Sequence, residues 1–233
     1  MPRLLLIISL YLLGTCVNSV NGQTNKFEIA IEGGSGATHF YGNVLTLDNL
    51  KPIIGGYAGI LFQYHFSRIF SVKSGCSYER KGANFILNSW EFNADYVYQL
   101  NYLSVPAVIQ AEFGRKVRFF INTGPYFSFL LSQNYIAKNA ASGSGNWLLI
   151  SASSEHEQVK YDFGINAETG VKINVATNTA ISVSLADHCG FINTKKQPLF
   201  TDAIHAPVNS DNTTFNNSIL VVFGISYGFG AIN

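Results

Sequence analysis

The stretch Val117–Ser132, VRFFINTGPYFSFLLS, limits the folds open to this chain more than any other. Read with a period of two, Val117, Phe119, Ile121, Thr123, Pro125, Phe127, Phe129 and Leu131 form one bulky, apolar face. Arg118, Asn122, Gly124, Tyr126, Ser128 and Ser132 dominate the other face, interrupted by Phe120 and Leu130. Successive side chains of a β-strand point to opposite sides, so this is one long strand between two unlike environments. Strands of globular domains run to roughly 5–6 residues. A strand that crosses a bilayer needs about 9–11, and its apolar face looks outward at lipid. The stretch therefore predicts a transmembrane β-barrel, provided the rest of the chain supplies strands to close it.

The same alternation recurs over 27–36, 54–66, 69–81, 99–113, 160–175, 179–191 and 218–229. Ile54, Ala58, Ile60, Phe62, Tyr64 and Phe66 share one face of their strand, as do Ile219, Val221, Phe223, Ile225, Tyr227 and Phe229 of the last. Long connections (37–53, 82–98, 134–159, 192–217) alternate with tight ones at Ser67-Arg68, Gly114-Arg115-Lys116 and Ala176-Thr177-Asn178. The segment Ala140–Gly145 is the most flexible part of the longest loop by its Ala, Ser and Gly content. Short periplasmic turns, long outer loops and an even strand number are the organisation of outer-membrane barrels. The sequence thus predicts an all-β fold, an eight-stranded antiparallel up-and-down transmembrane β-barrel in the bacterial outer membrane, with both termini on the periplasmic side. Two aromatic girdles are expected on the outward faces: Phe27, Phe66, Phe70, Phe113, Phe119 and Phe229 below, and Tyr78, Phe127, Phe129, Tyr161, Phe163 and Phe191 above.

Charged residues are 12% of the chain, half the usual share of about 25%. Such a composition also suits a buried all-β core, so the alternation decides between them. The net charge of +1 leaves no polybasic surface and excludes a nucleic-acid partner. At the N-terminus, Arg3 precedes the apolar run Leu4–Leu13, and Val20-Asn21-Gly22 supplies small residues for cleavage before Gln23. Residues 1–22 are read as a removed signal peptide and 23–233 as the barrel domain. The rival is lipidation at Cys16, for which Thr15 is a poor preceding residue. No later stretch is long and apolar enough for a transmembrane helix, which takes roughly 17–25 residues.

The inward faces carry Glu28, Glu32, Glu79, Glu112, Asp162 and Glu168 against Lys73, Lys81, Arg118 and Lys172. An eight-stranded barrel is just wide enough for side chains to fill, and buried charges must be paired, so these residues predict a salt-bridged plug. An ion or proton path is the lesser alternative. Inward Gly124, Gly164, Gly170, Gly190, Gly224 and Gly228 relieve crowding. Arg80 and Asp187 point outward near the outer rim. Cys76 and Cys189 fall on strands that are not neighbours and are expected as free thiols, without ligand spacing for a metal. Gly224-Ile225-Ser226-Tyr227-Gly228 matches a nucleophile elbow, but no acid or His follows it. Gly33-Gly34-Ser35-Gly36 lacks the helix of a nucleotide fold. His156-Glu157 lacks a second His, and Asp187-His188 point to opposite faces. The N-x-S/T matches at Asn212 and Asn216 have no consequence in a bacterial host. No catalytic, cofactor-binding or metal residue is assigned, no cofactor is expected, and the chain is read as not an enzyme.

Leu100-Asn101-Tyr102-Leu103-Ser104-Val105-Pro106, then a strand, a Gly turn and Asn122-Thr123-Gly124-Pro125-Tyr126, resembles the PorT-like outer membrane protein beta-barrel family. Asp162-Phe163-Gly164 and Glu168-Thr169-Gly170 extend the resemblance to nearly all of 23–230. It implies a barrel of this type and leaves the task open: one relative is linked to a secretion system, a role that fold alone does not transfer. The end of the chain departs from the barrel pattern, because Gly230-Ala231-Ile232-Asn233 follow the aromatic Phe229. The expected function is a small non-enzymatic barrel with a structural or interaction role: envelope integrity, adhesion or service to a secretion machine. Its partners are outer-membrane lipid and a protein met through the outer loops. Two alternatives are a soluble lipocalin-like carrier, which needs the faces reversed, and an outer-membrane lipid-modifying enzyme drawing on His39, His156, His205 or His188.

Overall fold

The computed structural model describes residues 25–42, 50–88, 93–140, 147–152, 159–194 and 213–231. The strands are β1 (Asn25–Tyr41), β2 (Leu50–His65), β3 (Phe70–Asn88), β4 (Asn93–Gly114), β5 (Val117–Ala140), β6 (Trp147–Ala152), β7 (Tyr161–Asn174), β8 (Thr179–Gly190) and β9 (Phe215–Ala231). Every pairing is antiparallel. Eight strands close on themselves, since β9 pairs with β1 and β4 with β5. Among the described residues the short β6 pairs with the upper end of β5, beyond the barrel wall.

The register fixes the shape of the barrel. One circuit of paired residues runs Phe27, Tyr64, Val72, Ile109, Thr123, Ala167, Asp187, Ile219 and back to β1 at Ala37. The circuit returns 37 − 27 = 10 residues along β1, which is the shear of the barrel. With eight strands at ordinary strand spacing, that shear sets a tilt of about 40° and a radius of roughly 8 Å. A lumen that narrow is filled by side chains.

The period-two pattern divides the molecule into a wall and a core. Ile31, Ile60, Ile109, Phe119, Ile121, Leu185 and Phe223 stand exposed on the outside. Glu28, Glu32, Lys73, Glu79, Lys81, Glu112, Asp162, Glu168 and Lys172 are buried inside. This polarity is the reverse of a soluble domain and overturns the lipocalin-like alternative. Near the lower edge, Phe27 stacks on Phe62 and Phe229, with ring centroids 5.7 and 5.6 Å apart, and Phe66 stacks on Phe70 at 6.3 Å. Near the upper edge, Phe127 lies 4.8 Å from Phe129 and 6.4 Å from Tyr161.

The tight turns fall where expected. Ser67 Oγ accepts from the Ile69 and Phe70 amides. Gly114 holds φ +120°, and a Cβ there would meet the Val117 carbonyl at 2.1 Å, so the β4–β5 turn requires glycine. The long connections differ from the sequence reading. Most of the expected loop 82–98 is a continuing hairpin that leaves only 89–92 between β3 and β4, while β5 extends to Ala140 and β9 begins at Phe215. Above the bilayer the outward face meets water instead of lipid while Phe40, Ala83, Tyr98 and Leu100 stay buried inside, so strand pairing still satisfies the backbone although the apolar-outward alternation is lost. Residues 1–22, Cys16 and most of the Ala140–Gly145 segment lie outside the described residues.

Candidate functional site

The lumen carries the chemistry of the chain, in three layers. At the periplasmic end, β1, β4, β5 and β7 bring Glu28, Glu112, Arg118 and Lys172 together. Lys172 Nζ donates to Glu28 Oε1 at 2.8 Å and to Glu112 Oε1 at 3.0 Å. Arg118 Nη1 donates to Glu112 Oε2 at 2.6 Å, and Gln63 and Gln110 donate to Oε1. His65 Nε2 lies 3.6 Å from Glu28 Oε2.

In the middle layer Lys73 Nζ is 2.6 Å from Glu32 Oε1 and 3.6 Å from Glu168 Oε2. Glu168 also accepts from Asn122 Nδ2 at 2.6 Å and Ser184 Oγ at 2.5 Å. Asn122 reaches Gln110 at 3.2 Å and ties this layer to the one below. In the upper layer Lys81 Nζ donates to Tyr126 Oη at 3.1 Å and to Asp162 Oδ2 at 3.5 Å, and it sits 4.5 Å from the Tyr126 ring centroid. Asp162 accepts from Asn216 Nδ2 at 3.0 Å, and His188 Nδ1 lies 2.9 Å from Glu79 Oε2.

All ten inward charges named from the sequence lie in this network. The residues that sequence reasoning missed are His65, Gln63 and Asn216. The first two continue the inward parity of Tyr57 and Leu61 on β2, a signal that was present. The sequence places Asn216 in the 192–217 connection, but it lies on β9, buried against Asp162 and Tyr102. Asn212, His156 and His205 lie outside the described residues.

Glu28, His65 and Glu112 offer ligand atoms all within 4.8 Å of one another. The Lys172 ammonium already bridges the two carboxylates, so the chain supplies its own cation there. A residual space on the order of 10 Å³, about one water, remains between Glu32, Lys73, Glu168 and His188. Ser226 is buried in mid-strand opposite Ala30 and Ala180, without the turn that a nucleophile elbow needs. Asp187 is exposed and accepts from Asn217, whereas His188 is buried inside, so the two do not act together. Cys76 and Cys189 are free thiols, and Cys189 Sγ lies 3.2 Å from Tyr41 Oη.

A closed eight-stranded barrel with an apolar wall, two aromatic girdles and a charged core defines an outer-membrane β-barrel. Residues 21–196 match the family model described as "Outer membrane protein beta-barrel domain", and the chain belongs to that family of the bacterial outer membrane. Among solved structures, the outer membrane protein OprG from Pseudomonas aeruginosa is similar at 12% identity, covering 91% of this chain and 99% of that one, with a TM-score of 0.49. Neisserial surface protein A is similar at 12% identity, with 90% and 100% covered and a TM-score of 0.44. Ail, the attachment invasion locus protein of Yersinia pestis, is similar at 14% identity, with 88% and 99% covered and a TM-score of 0.39. These likenesses are too distant to add to what the strand pairing establishes. No curated protein matches the chain.

Proposed function

We propose that this chain is a non-enzymatic barrel of the PorT-like kind, exported by a signal peptide over residues 1–22. Its outer connections and its wall carry an interaction role in envelope integrity, adhesion or service to a secretion machine. The observation that carries the reading is the hydrogen-bonded charge network across the lumen. Each layer spans a barrel of roughly 8 Å radius, and each charge in it has a partner of opposite sign. A solute path would require these pairs to part, at a cost of several kcal/mol for each uncompensated ion. With the bore filled, what the molecule offers to partners is its outer end and its lipid-facing surface. The lipid-modifying alternative lacks a nucleophile paired with a base among the described residues.

The test is liposome swelling with the purified protein, whose N-terminus is expected to read Gln23. Vesicles containing the barrel should swell in small sugars no faster than empty ones. A parallel arm replaces 43–49 and 195–212 with short Gly-Ser linkers and scores outer-membrane integrity by dye entry in cells lacking the native gene. Loss of complementation by the inserted, loop-replaced barrel is expected. Sugar-dependent swelling would make the protein a channel and overturn the reading.

A further inference from the structure

We propose that Arg80, held by Asn101 on the lipid-facing wall, binds the phosphate of an anionic glycolipid in the outer leaflet. Arg80 lies on the outward face of β3 and is exposed. A bare guanidinium against hydrocarbon is expensive, so its height matters. Ten residues separate it from Phe70 of the lower girdle. At about 3.3 Å per residue on a strand tilted about 40°, Arg80 stands roughly 25 Å above that girdle. The apolar band of such barrels is about 25 Å tall. The guanidinium therefore sits where hydrocarbon gives way to headgroups, two residues above the girdle residue Tyr78.

The side chain is positioned. Arg80 Nε donates to Asn101 Oδ1 at 3.2 Å, and Tyr78 Oη donates to the same oxygen at 2.7 Å. Asn101 Nδ2 in turn donates to Ser132 Oγ at 2.8 Å. Asn101 is only 6% exposed although its register places it on the outward side. A buried amide thus takes up one edge of the guanidinium and fixes its plane. Nη1 and Nη2 carry no partner among the described residues. That leaves two parallel N–H donors in the geometry that an oxyanion of phosphate accepts. An arginine that merely reached up into water would need no such support.

There is also room. The β2–β3 register shifts between Pro52 and Tyr57, alongside Arg80. A Cβ added at Gly56 would meet nothing within 4 Å, so the wall beside the guanidinium is open. Below it, Ile60, Cys76, Leu103 and Val105 form an apolar surface for acyl chains. The nearest inward charges are engaged inside the barrel, Lys81 with Glu79 and Asp162 and Glu79 also with His188, so they do not compete for the Arg80 guanidinium.

The experiment is native mass spectrometry of the barrel in zwitterionic lipid nanodiscs, titrated with diphosphoryl lipid A or its dephosphorylated form. The phosphorylated glycolipid should be retained on the native protein. Arg80→Gln should lower its affinity by about tenfold or more, the scale of a lost charged hydrogen bond. Arg80→Lys should be intermediate, because Lys cannot keep the Asn101 contact and still present a planar fork. Heat-modifiable gel migration of each variant separates loss of binding from loss of fold. Equal retention of dephosphorylated lipid, unchanged binding by the folded Arg80→Gln variant, or displacement of the lipid by equimolar inorganic phosphate would each overturn the proposal.

Discussion

Lys73 shows at the scale of one residue how far the lumen depends on pairing. Its side chain is 6% exposed, and its ammonium is the cation shared by Glu32 and Glu168, neither of which lies in the layer of Lys172 or Lys81. Lys73→Met keeps the stem and removes the charge, leaving two buried carboxylates facing each other. Breaking a buried pair on one side costs about 3–5 kcal/mol, and urea unfolding of the folded barrel in lipid vesicles should read a loss of that size. The Lys73→Met, Glu32→Gln pair should recover part of it, because one of the stranded charges is gone. A loss below about 1 kcal/mol would indicate a water-screened, exposed-type pair and would argue for an open bore. Crowding acts at the same scale: a Cβ at Gly190 would sit 2.7 and 2.9 Å from the Asp162 carboxylate oxygens. Neighbouring side chains also need the space at Gly164, Gly170, Gly224 and Gly228, whereas at Gly124 the close neighbour is the Ala107–Val108 backbone.

At the scale of the strand, β5 carries an irregularity that the sequence concealed. Tyr102 pairs with Leu130, but Asn101 pairs with Ser132, so Leu131 is an extra residue in the ladder. Below it the inward residues of β5 are even-numbered (Phe120, Asn122, Tyr126, Ser128), and above it Gln133 is the buried one. A bulge inserts one unpaired residue and shifts every later side chain to the other face. Deleting Leu131 should therefore leave an inserted barrel with Asn101 still opposite Ser132. Deleting Ile121 should turn Phe127 and Phe129 into the lumen and abolish the heat-dependent gel shift. Failure of both deletions alike would show that the bulge itself is needed to bend the strand. The period-two rule read the strands well wherever lipid bounded them, and with them ten lumenal charges. It failed at Asn84, Tyr98 and Asn216, because above the bilayer the outward face meets water and need not be apolar, while the inward face stays buried and takes Phe40, Ala83, Tyr98 and Leu100 beside the polar Asn216. It also failed at His65, which was legible by parity but does not stand out among the apolar residues of β2.

For the molecule as a whole, the decisive property is the inverted polarity of wall and core. Leu185 and Phe223 are 53% and 62% exposed, on the neighbouring strands β8 and β9, about midway between the two aromatic girdles. In water such a surface would drive association, whereas in a bilayer it is the interface that holds the barrel in place. Leu185→Arg or Phe223→Arg introduces a charge near the bilayer midplane, where the cost is about 2–4 kcal/mol. The expected outcome is loss of insertion, read as loss of the band that migrates differently in unboiled and boiled membrane fractions. Phe229→Arg should cost less, because the lower girdle lies at the interface and a long cationic side chain there reaches water. The gradient between these positions is the discriminating result. A soluble barrel would show equal tolerance at Leu185 and Phe229, since depth in a membrane would have no meaning for it. The inserted barrel makes tolerance a function of height on the wall, and the same dependence explains why Arg80 is stable at the upper rim while no Lys or Arg appears on the outward face at the level of Leu185 among the described residues.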